Sequence, residues 1–227
     1  MTTSNLEALQ KTLGYQFKDQ DLLRTALTHR STLNDPGTKD SYERLEFLGD
    51  AILEMLISAY LFQNYPDKQE GFLTAARSAT VRTESLSGLA RSLDLGEYII
   101  MSKGEESTGG RNNPSTLEDV VESLIGALYT DGGLPQAQVF FDRFVAPIAL
   151  TVVSQGQLKD PKSTLQERIQ AKGLPAPTYL VAKEIGPDHD KTFEIVVNIN
   201  GGISATGIGK SKQEAEQKAA QKALELI

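Results

Sequence analysis

ERLEFLGDAI, residues 43–52, is the stretch on which the fold reading turns. Leu45, Leu48, Ile52, Met55 and Leu56 recur at the helical period, which predicts an amphipathic helix with those side chains on its core face. At about 100° per residue, Glu43, Glu46, Asp50 and Glu54 then fall within an arc of roughly 80°. Like charges at i,i+4 each destabilise an isolated helix by about 0.2–0.5 kcal/mol, so the stripe needs a reason. A solvated outer face is the ordinary one. Gly49 costs about 1 kcal/mol relative to Ala in mid-helix, which suggests a backbone approached closely by another element.

A second acidic helix is predicted in PSTLEDVVESLIGALY, residues 114–129, with Ser115 and Glu118 as its capping box. Asp119 and Glu122 are i,i+3 neighbours on one face, and Val120, Val121, Leu124 and Leu128 take another. Gly126, one turn past Glu122, removes bulk from the acidic face. Two helices with small residues beside their acids could pack and bring Glu46, Asp50, Asp119 and Glu122 together. Four converging carboxylates call for cations, and hard oxygen ligands select Mg²⁺ or Mn²⁺. Such ions acidify water, which fits hydrolysis of a phosphodiester. A di-iron bundle would want Glu-x-x-His, and this chain offers Asp-x-x-Glu. From spacing alone, the metal site and the solvated face stay equally open.

The chain has 227 residues, 39% hydrophobic and 23% charged, enough for one large domain or a mid-sized domain plus a small one. The longest apolar candidate, FVAPIALTVV at 144–153, is short for a membrane span and contains Pro147, so no membrane association is expected. MTTSNLEALQK carries no export signal, and the absence of cysteine fits a reducing cytoplasm. His29 and His189 are the whole supply of imidazole. Net charge is −7, unevenly shared. Residues 1–158 hold 13 Lys and Arg against 21 Asp and Glu, a net of −8, and residues 159–227 hold 10 against 9, a net of +1. An acidic body with a neutral tail suggests two modules.

Helical patterns fill the body: Ser4 and Glu7 box a first helix stopped at Gly14, followed by 21–29, the ERLEFLGDAI helix, 70–92, 116–130 and 134–151, with a loop at 102–114. The expected organisation is an all-α domain over 1–151, a linker over 152–159 and a compact domain over 160–227. In the last, Asp160-Pro161 opens a helix with Leu165 and Ile169 inward. TYLVAKEI at 178–185, TFEIVVNI at 192–199 and ISATGIG at 203–209 alternate as strands, with Asn200-Gly201 as a hairpin turn. A final helix capped by Ser211 and Glu214 completes an α-β-β-β-α order, with Ala215, Ala219, Leu224 and Ile227 inward.

YERLEFLGDAIL at 42–53 resembles the signature helix of bacterial ribonuclease III, and LEDVVESLIGALYTDGG at 117–133 resembles that family's second catalytic helix. LTHRS at 27–31 and EGFLT at 70–74 match further landmarks, so the likeness covers essentially the whole chain. It implies a cytoplasmic, homodimeric, Mg²⁺-dependent endonuclease of double-stranded RNA, with Mn²⁺ able to substitute and no small-molecule cofactor. Its products carry 5′-phosphate and 3′-hydroxyl ends with a short 3′ overhang, and its work is rRNA and mRNA processing and decay. By position, Glu46, Asp50, Asp119 and Glu122 would be metal ligands, with Asp50 and Glu122 closest to catalysis. Glu43 and Glu70 match acidic positions the family uses less directly, and Phe47 matches an aromatic that enters a socket on the twin subunit.

The tail resembles the family's double-stranded-RNA-binding domain. Such modules read A-form RNA by shape, through 2′-hydroxyls and phosphates. Gln166, Glu167 and the loop at 186–191, with His189, match minor-groove contacts, and Lys210, Lys212 and Lys218 match the phosphate-binding end of the last helix. The usual paired basic residues after the capping Ser appear here as Lys212-Gln213, which puts one phosphate contact in question. Arg77 and Arg82 receive no role, and His29 is expected to cap or pack locally. Two rivals remain: a non-catalytic dimeric double-stranded-RNA-binding protein, and metal-free chemistry on His29 and His189. The second would put its two histidines in different domains.

Overall fold

Asn113 and Pro114 start the helix around which the larger unit is built: the Asn113 side chain accepts from the Ser115 N–H, and Pro114 follows at the first helical position. The computed structural model describes all residues except 1, 2, 36, 39, 157–160, 187–190 and 201. The chain divides into two compact units, Met1–Leu158 and Lys159–Ile227. Asp160, Gly201 and residues 157–159 of the expected linker lie outside the described residues.

In chain order the first unit carries α1 (Thr3–Leu13), α2 (Gln20–Ala26), α3 (Glu43–Asn64), α4 (Glu70–Val81), α5 (Thr83–Ser92), α6 (Lys103–Ser107), α7 (Pro114–Gly132), α8 (Leu134–Phe140) and α9 (Ala146–Ser154). Helix α7 is the centre. From Thr116 to Leu128 only Glu118, Asp119 and Glu122 escape burial, so the acids mark its one open face. Buried Ser123 donates through Oγ to the carbonyl of Ala26 at 2.6 Å, satisfying the end of α2. At the far end Asp131 accepts from the Tyr15 hydroxyl at 2.7 Å and from the N–H groups of Lys18 and Asp19 at 2.9 and 3.0 Å.

Helix α3 meets α7 at two glycines. A Cβ on Gly49 would stand 1.8 Å from the Glu122 carbonyl oxygen, and one on Gly126 would stand 2.2 Å from that of Leu45. Only hydrogen fits at this crossing. The expected core face of α3 holds for Leu45, Ile52 and Leu56, but Met55 is 46% exposed, and Leu53, Ile57 and Leu61 are buried in its place. The cause is a core contact centred on the Gly49 side of the helix, which turns the Met55 side outward.

Several local expectations are corrected. The cap of α7 is Asn113, so Ser115 and Glu118 make no capping box there, and α1 begins at Thr3, one residue before Ser4. The run at 70–92 is two helices broken at Arg82, whose backbone is extended. The loop at 102–114 holds α6, capped by Ser102. The run at 134–151 reaches Ser154, with a π turn at Phe141–Val145 directly before Ala146-Pro147. Pro147 cannot donate to the carbonyl four residues back, and the wider turn accommodates it. That turn joins Leu134–Ser154 into 21 helical residues, longer than the apolar run at 144–153, with a mean hydropathy of 1.4 in an 18-residue window, a length and composition that core helices share with membrane spans. Its residues Ala137, Phe140, Phe141, Val145, Ala149 and Val152 are buried against the rest of the unit.

The second unit places α10 (Pro161–Ala171) and α11 (Lys212–Leu224) with an antiparallel sheet of β1 (Thr178–Ile185), β2 (Thr192–Ile199) and β3 (Ile203–Gly209), in that order. The register pairs Val181 with Ile195 and Val197 with Ala205, and a bulge falls between Val181 and Lys183. Leu165, Ile169, Val197, Ile199, Ala205, Ala219, Ala220 and Ala223 form the core. Gly207 lets α11 sit on the strand backbone, since a Cβ there would lie 2.1 Å from the Ala215 carbonyl.

The glycine crossing predicts opposite outcomes for two Gly→Ala changes measured by denaturant unfolding. Gly49→Ala forces α3 and α7 apart and should destabilise the first unit by about 1–3 kcal/mol, the usual scale of overpacking. Gly88→Ala, on α5 with nothing within 4 Å of the new methyl, should stabilise it by about 0.5–1 kcal/mol.

Candidate functional site

Because the backbones touch at Gly49 and Gly126, the side chains flanking those glycines share one surface. Glu46 and Asp50 come from α3, and Asp119 and Glu122 from α7; Asp50 is exposed and the other three are half-buried. Burial first, then the charges of Asp50, Glu118, Glu46 and Asp119, pushes the Glu122 carboxyl up to about 8. Burial, then Asp119, Glu43, Asp50 and Glu118, pushes Glu46 up to about 7. Asp119 is also raised, chiefly by burial, against the pull of a hydrogen bond from the Tyr42 hydroxyl to Oδ2 at 3.1 Å.

The neighbours of this group are treated differently. Glu54, on the same stripe, is paired with Arg77 Nε at 2.9 Å, and Arg77 also donates to Ser58 Oγ at 3.0 Å. Glu43 accepts from Ser41 Oγ at 2.9 Å and faces Arg30 Nη1 at 3.7 Å. Among the described residues, Glu46, Asp50, Asp119 and Glu122 make no ion pair. Also among the described residues, no three His, Asp or Glu side chains are gathered closely enough to hold a metal as they stand. Like charges keep such carboxylates apart unless a cation stands between them. The donor set fits a hard divalent cation: four carboxylates that make no ion pair among the described residues, with His29 and Arg30 exerting a longer-range pull on Asp119, and two of them raised well above the ordinary range by burial and mutual repulsion.

Glu118 was missed as a member of this group. It is half-buried, its carboxyl is raised chiefly by burial, with Asp119 and Asp50 adding and a hydrogen bond with Thr83 opposing. The available signal was its position one turn before Glu122 on the same face. Glu70 is not brought into the cluster by anything seen here; it opens α4, exposed, and accepts from Thr74 Oγ1 at 2.9 Å. His29 does cap: its Nδ1 accepts from the Ser31 N–H at 3.2 Å, and the ring is buried. Phe47 is 80% exposed, with Met55 and Phe62 also exposed on α3.

In the second unit, Gln166 and Glu167 lie on the exposed side of α10, and His189 falls outside the described residues. Ser211 caps α11 through its hydroxyl, accepting from the Glu214 N–H at 3.1 Å, and Glu214 accepts in turn from the Lys210 N–H at 2.7 Å. The three expected lysines are exposed around this helix start. Two are engaged by carboxylates: Lys212 with Glu184 at 2.8 Å and Lys218 with Glu214 at 2.6 Å. Gln213 is exposed beside Lys212.

A family model described as Ribonuclease-III-like matches residues 19–148, and the double-stranded RNA binding motif matches residues 161–227. A protein named Ribonuclease 3 from Syntrophobacter fumaroxidans is 45% identical over 99% of this chain and 96% of its own length. Another of that name from Borreliella burgdorferi is 43% identical over 99% of this chain and 92% of its own. Among solved structures, the nuclease domain of ribonuclease III from Campylobacter jejuni, described with a region involved in dimer formation, covers 63% of this chain and 97% of itself at 40% identity and a TM-score of 0.60. With such identity across nearly every residue, and a helical unit preceding an α-β-β-β-α unit as the two matches require, this chain belongs to the ribonuclease III family.

Proposed function

We propose that this chain is a divalent-metal-dependent endoribonuclease that cleaves double-stranded RNA as a homodimer, leaving 5′-phosphate and 3′-hydroxyl ends with a short 3′ overhang. Its substrates are structured rRNA and mRNA precursors in the cytoplasm. The observation that carries this reading is the single open face of α7, where acids that make no ion pair among the described residues sit against those of α3, in a chain that also bears an RNA-binding fold. Glu46, Asp50, Asp119 and Glu122 would hold Mg²⁺ or Mn²⁺, which supplies an acidified water and shields charge developing on the phosphate. The protein's own part is positional. The close crossing of α3 and α7 sets the backbones that carry the acids side by side, and a cation would draw their side chains together. Asp50, the most exposed of the four, and Glu122, one turn before Gly126 at the crossing, stand nearest the reacting phosphate in this reading. Glu43 and Glu70 serve less directly.

The second unit supplies the grip. Gln166, Glu167 and His189 meet the minor groove, and Lys210, Lys212 and Lys218 meet phosphates at the start of α11, where the helix dipole adds attraction. Phe47 seats in a socket on the twin subunit, so that two-fold symmetry sets two acidic sites on one duplex.

Glu122→Gln keeps shape and removes charge, so Mg²⁺-dependent cleavage should fall by orders of magnitude while duplex binding persists, as read by gel shift and product analysis. Cleavage near the wild-type rate would refute the site, and Glu54→Gln, whose native partner is Arg77, should lose little. Duplex binding titrated against salt tests the lysines. Lys212→Ala should weaken binding of all sequences alike and lower the salt slope by about 1. Glu184→Gln frees Lys212 and should tighten binding by a factor of about 2–5, the scale of a surface ion pair. Phe47→Ala should move the protein towards monomer in sedimentation at low micromolar concentration and slow double-strand cleavage. A variant that stayed dimeric and fully active would return Phe47 to an ordinary surface residue.

A further inference from the structure

Tyr42 stands one residue before α3, and its ring is 3% exposed. A buried phenol needs a hydrogen-bond partner, and the partner here is Oδ2 of Asp119 at 3.1 Å, on the opposite helix of the acidic crossing. The phenol is itself held from several sides. Tyr42 N–H donates to the Thr28 carbonyl at 2.9 Å, and the 27–29 segment is stitched to Ile100 by hydrogen bonds of 2.8 Å in each direction. The His29 ring packs 5.7 Å from the Tyr42 ring, and its own Nδ1 is fixed by Ser31. The 27–31 segment, braced by Ile100, thus fixes the backbone and ring of Tyr42 with its hydroxyl against one carboxylate oxygen of Asp119. Burial and the charge of Asp119 push the phenol above its ordinary range.

We propose that Tyr42 is a positioning residue for Asp119, its hydroxyl fixing the rotation of the carboxylate so that the free oxygen faces the divalent cation. This rests on the reading of the acids as a metal centre. A neutral donor suits the task. A lysine or arginine at that place would neutralise Asp119 and compete with the cation, whereas the phenol stabilises one oxygen and leaves the net charge of the cluster intact. Hydrogen bonds behind metal-ligating carboxylates commonly set affinity in this way. Without the hydroxyl, Asp119 is free to turn away from Glu46, whose charge repels it, and the cation must then gather a disordered ligand.

The test compares full-length wild type, Tyr42→Phe, Asp119→Asn and the double variant. Mn²⁺ binding is measured by calorimetry without RNA, and cleavage is measured across Mg²⁺ concentration. Tyr42→Phe keeps the ring and its packing, so the metal-free melting temperature should stay close to wild type. Its Mn²⁺ affinity should drop about 10-fold. The Mg²⁺ concentration for half-maximal cleavage should rise similarly, while the rate at saturating Mg²⁺ stays within about twofold of wild type, the pattern of lost metal binding. In the Asp119→Asn background the same change should have no further effect on Mn²⁺ affinity, because the path runs through Asp119. Unchanged Mn²⁺ affinity in Tyr42→Phe would overturn the proposal, as would an equal loss in both backgrounds, or a fall in metal-free melting temperature alone. Wild-type protein that bound no Mn²⁺ in an Asp119-dependent way would instead overturn the metal centre itself.

Discussion

At Gly49 and Gly126 the backbones of α3 and α7 come so close that a methyl group on either would overlap a carbonyl of the other helix. Helices usually pack through interleaved side chains at about 8–10 Å between axes. Here the side chains step aside at the crossing, and the residues flanking the glycines are carried onto a common surface. Leu45, Ile52, Leu53 and Leu56 of α3 and Val120, Val121, Leu124 and Leu128 of α7 bury the other sides of the same two helices. The apolar packing therefore sets the register, and the glycines convert that register into proximity of acids.

Proximity of acids opposes folding, and the protein limits how far it spreads. Glu54 is neutralised by Arg77, and Glu43 is attended by Ser41 and Arg30. Among the described residues Glu46 and Glu122 receive no such relief, and burial with mutual repulsion raises both. Tyr42 contributes a hydrogen bond without contributing charge. The pattern separates acids paired at the surface from acids left mutually repelling, which are the ones the proposed metal centre uses, a distinction that acidity alone does not make.

The RNA-binding unit works under a different balance. With a net charge of +1 it has little long-range attraction for a polyanion, and two of its expected phosphate ligands are engaged by Glu184 and Glu214. In the proposed reading, a phosphate would have to displace a carboxylate at each of those ammonium groups, which leaves more of the recognition to shape and 2′-hydroxyl contacts. The helix start at Ser211 is closed by reciprocal hydrogen bonds: Ser211 Oγ accepts from the Glu214 N–H, and the Glu214 carboxylate accepts from the Lys210 N–H.

Much of this was legible in the sequence because it depends on local period and composition. The acidic stripe of 43–54, the alternation in 178–185 and 192–199, the cap at Ser211 and the odd glycine at 49 each follow from which residues neighbour one another along the chain. The four carboxylates could be named as a group by that route, together with a family likeness. What lay beyond it was decided by contacts between distant segments. Residue spacing suggested a capping box for Glu118, whereas in the fold Asn113 takes the cap and Glu118 lies half-buried beside Thr83, on the face of Glu122. Helical periodicity put Met55 in the core, and the glycine crossing, by centring the contact elsewhere, put it in solvent. Arg77 meets Glu54 from another helix, and Tyr42 reaches Asp119 across 77 residues of chain. Periodicity reports which face a residue is on; which neighbour it finds there is settled by how closely two backbones pack, and here that depended on two hydrogens where other residues carry a side chain.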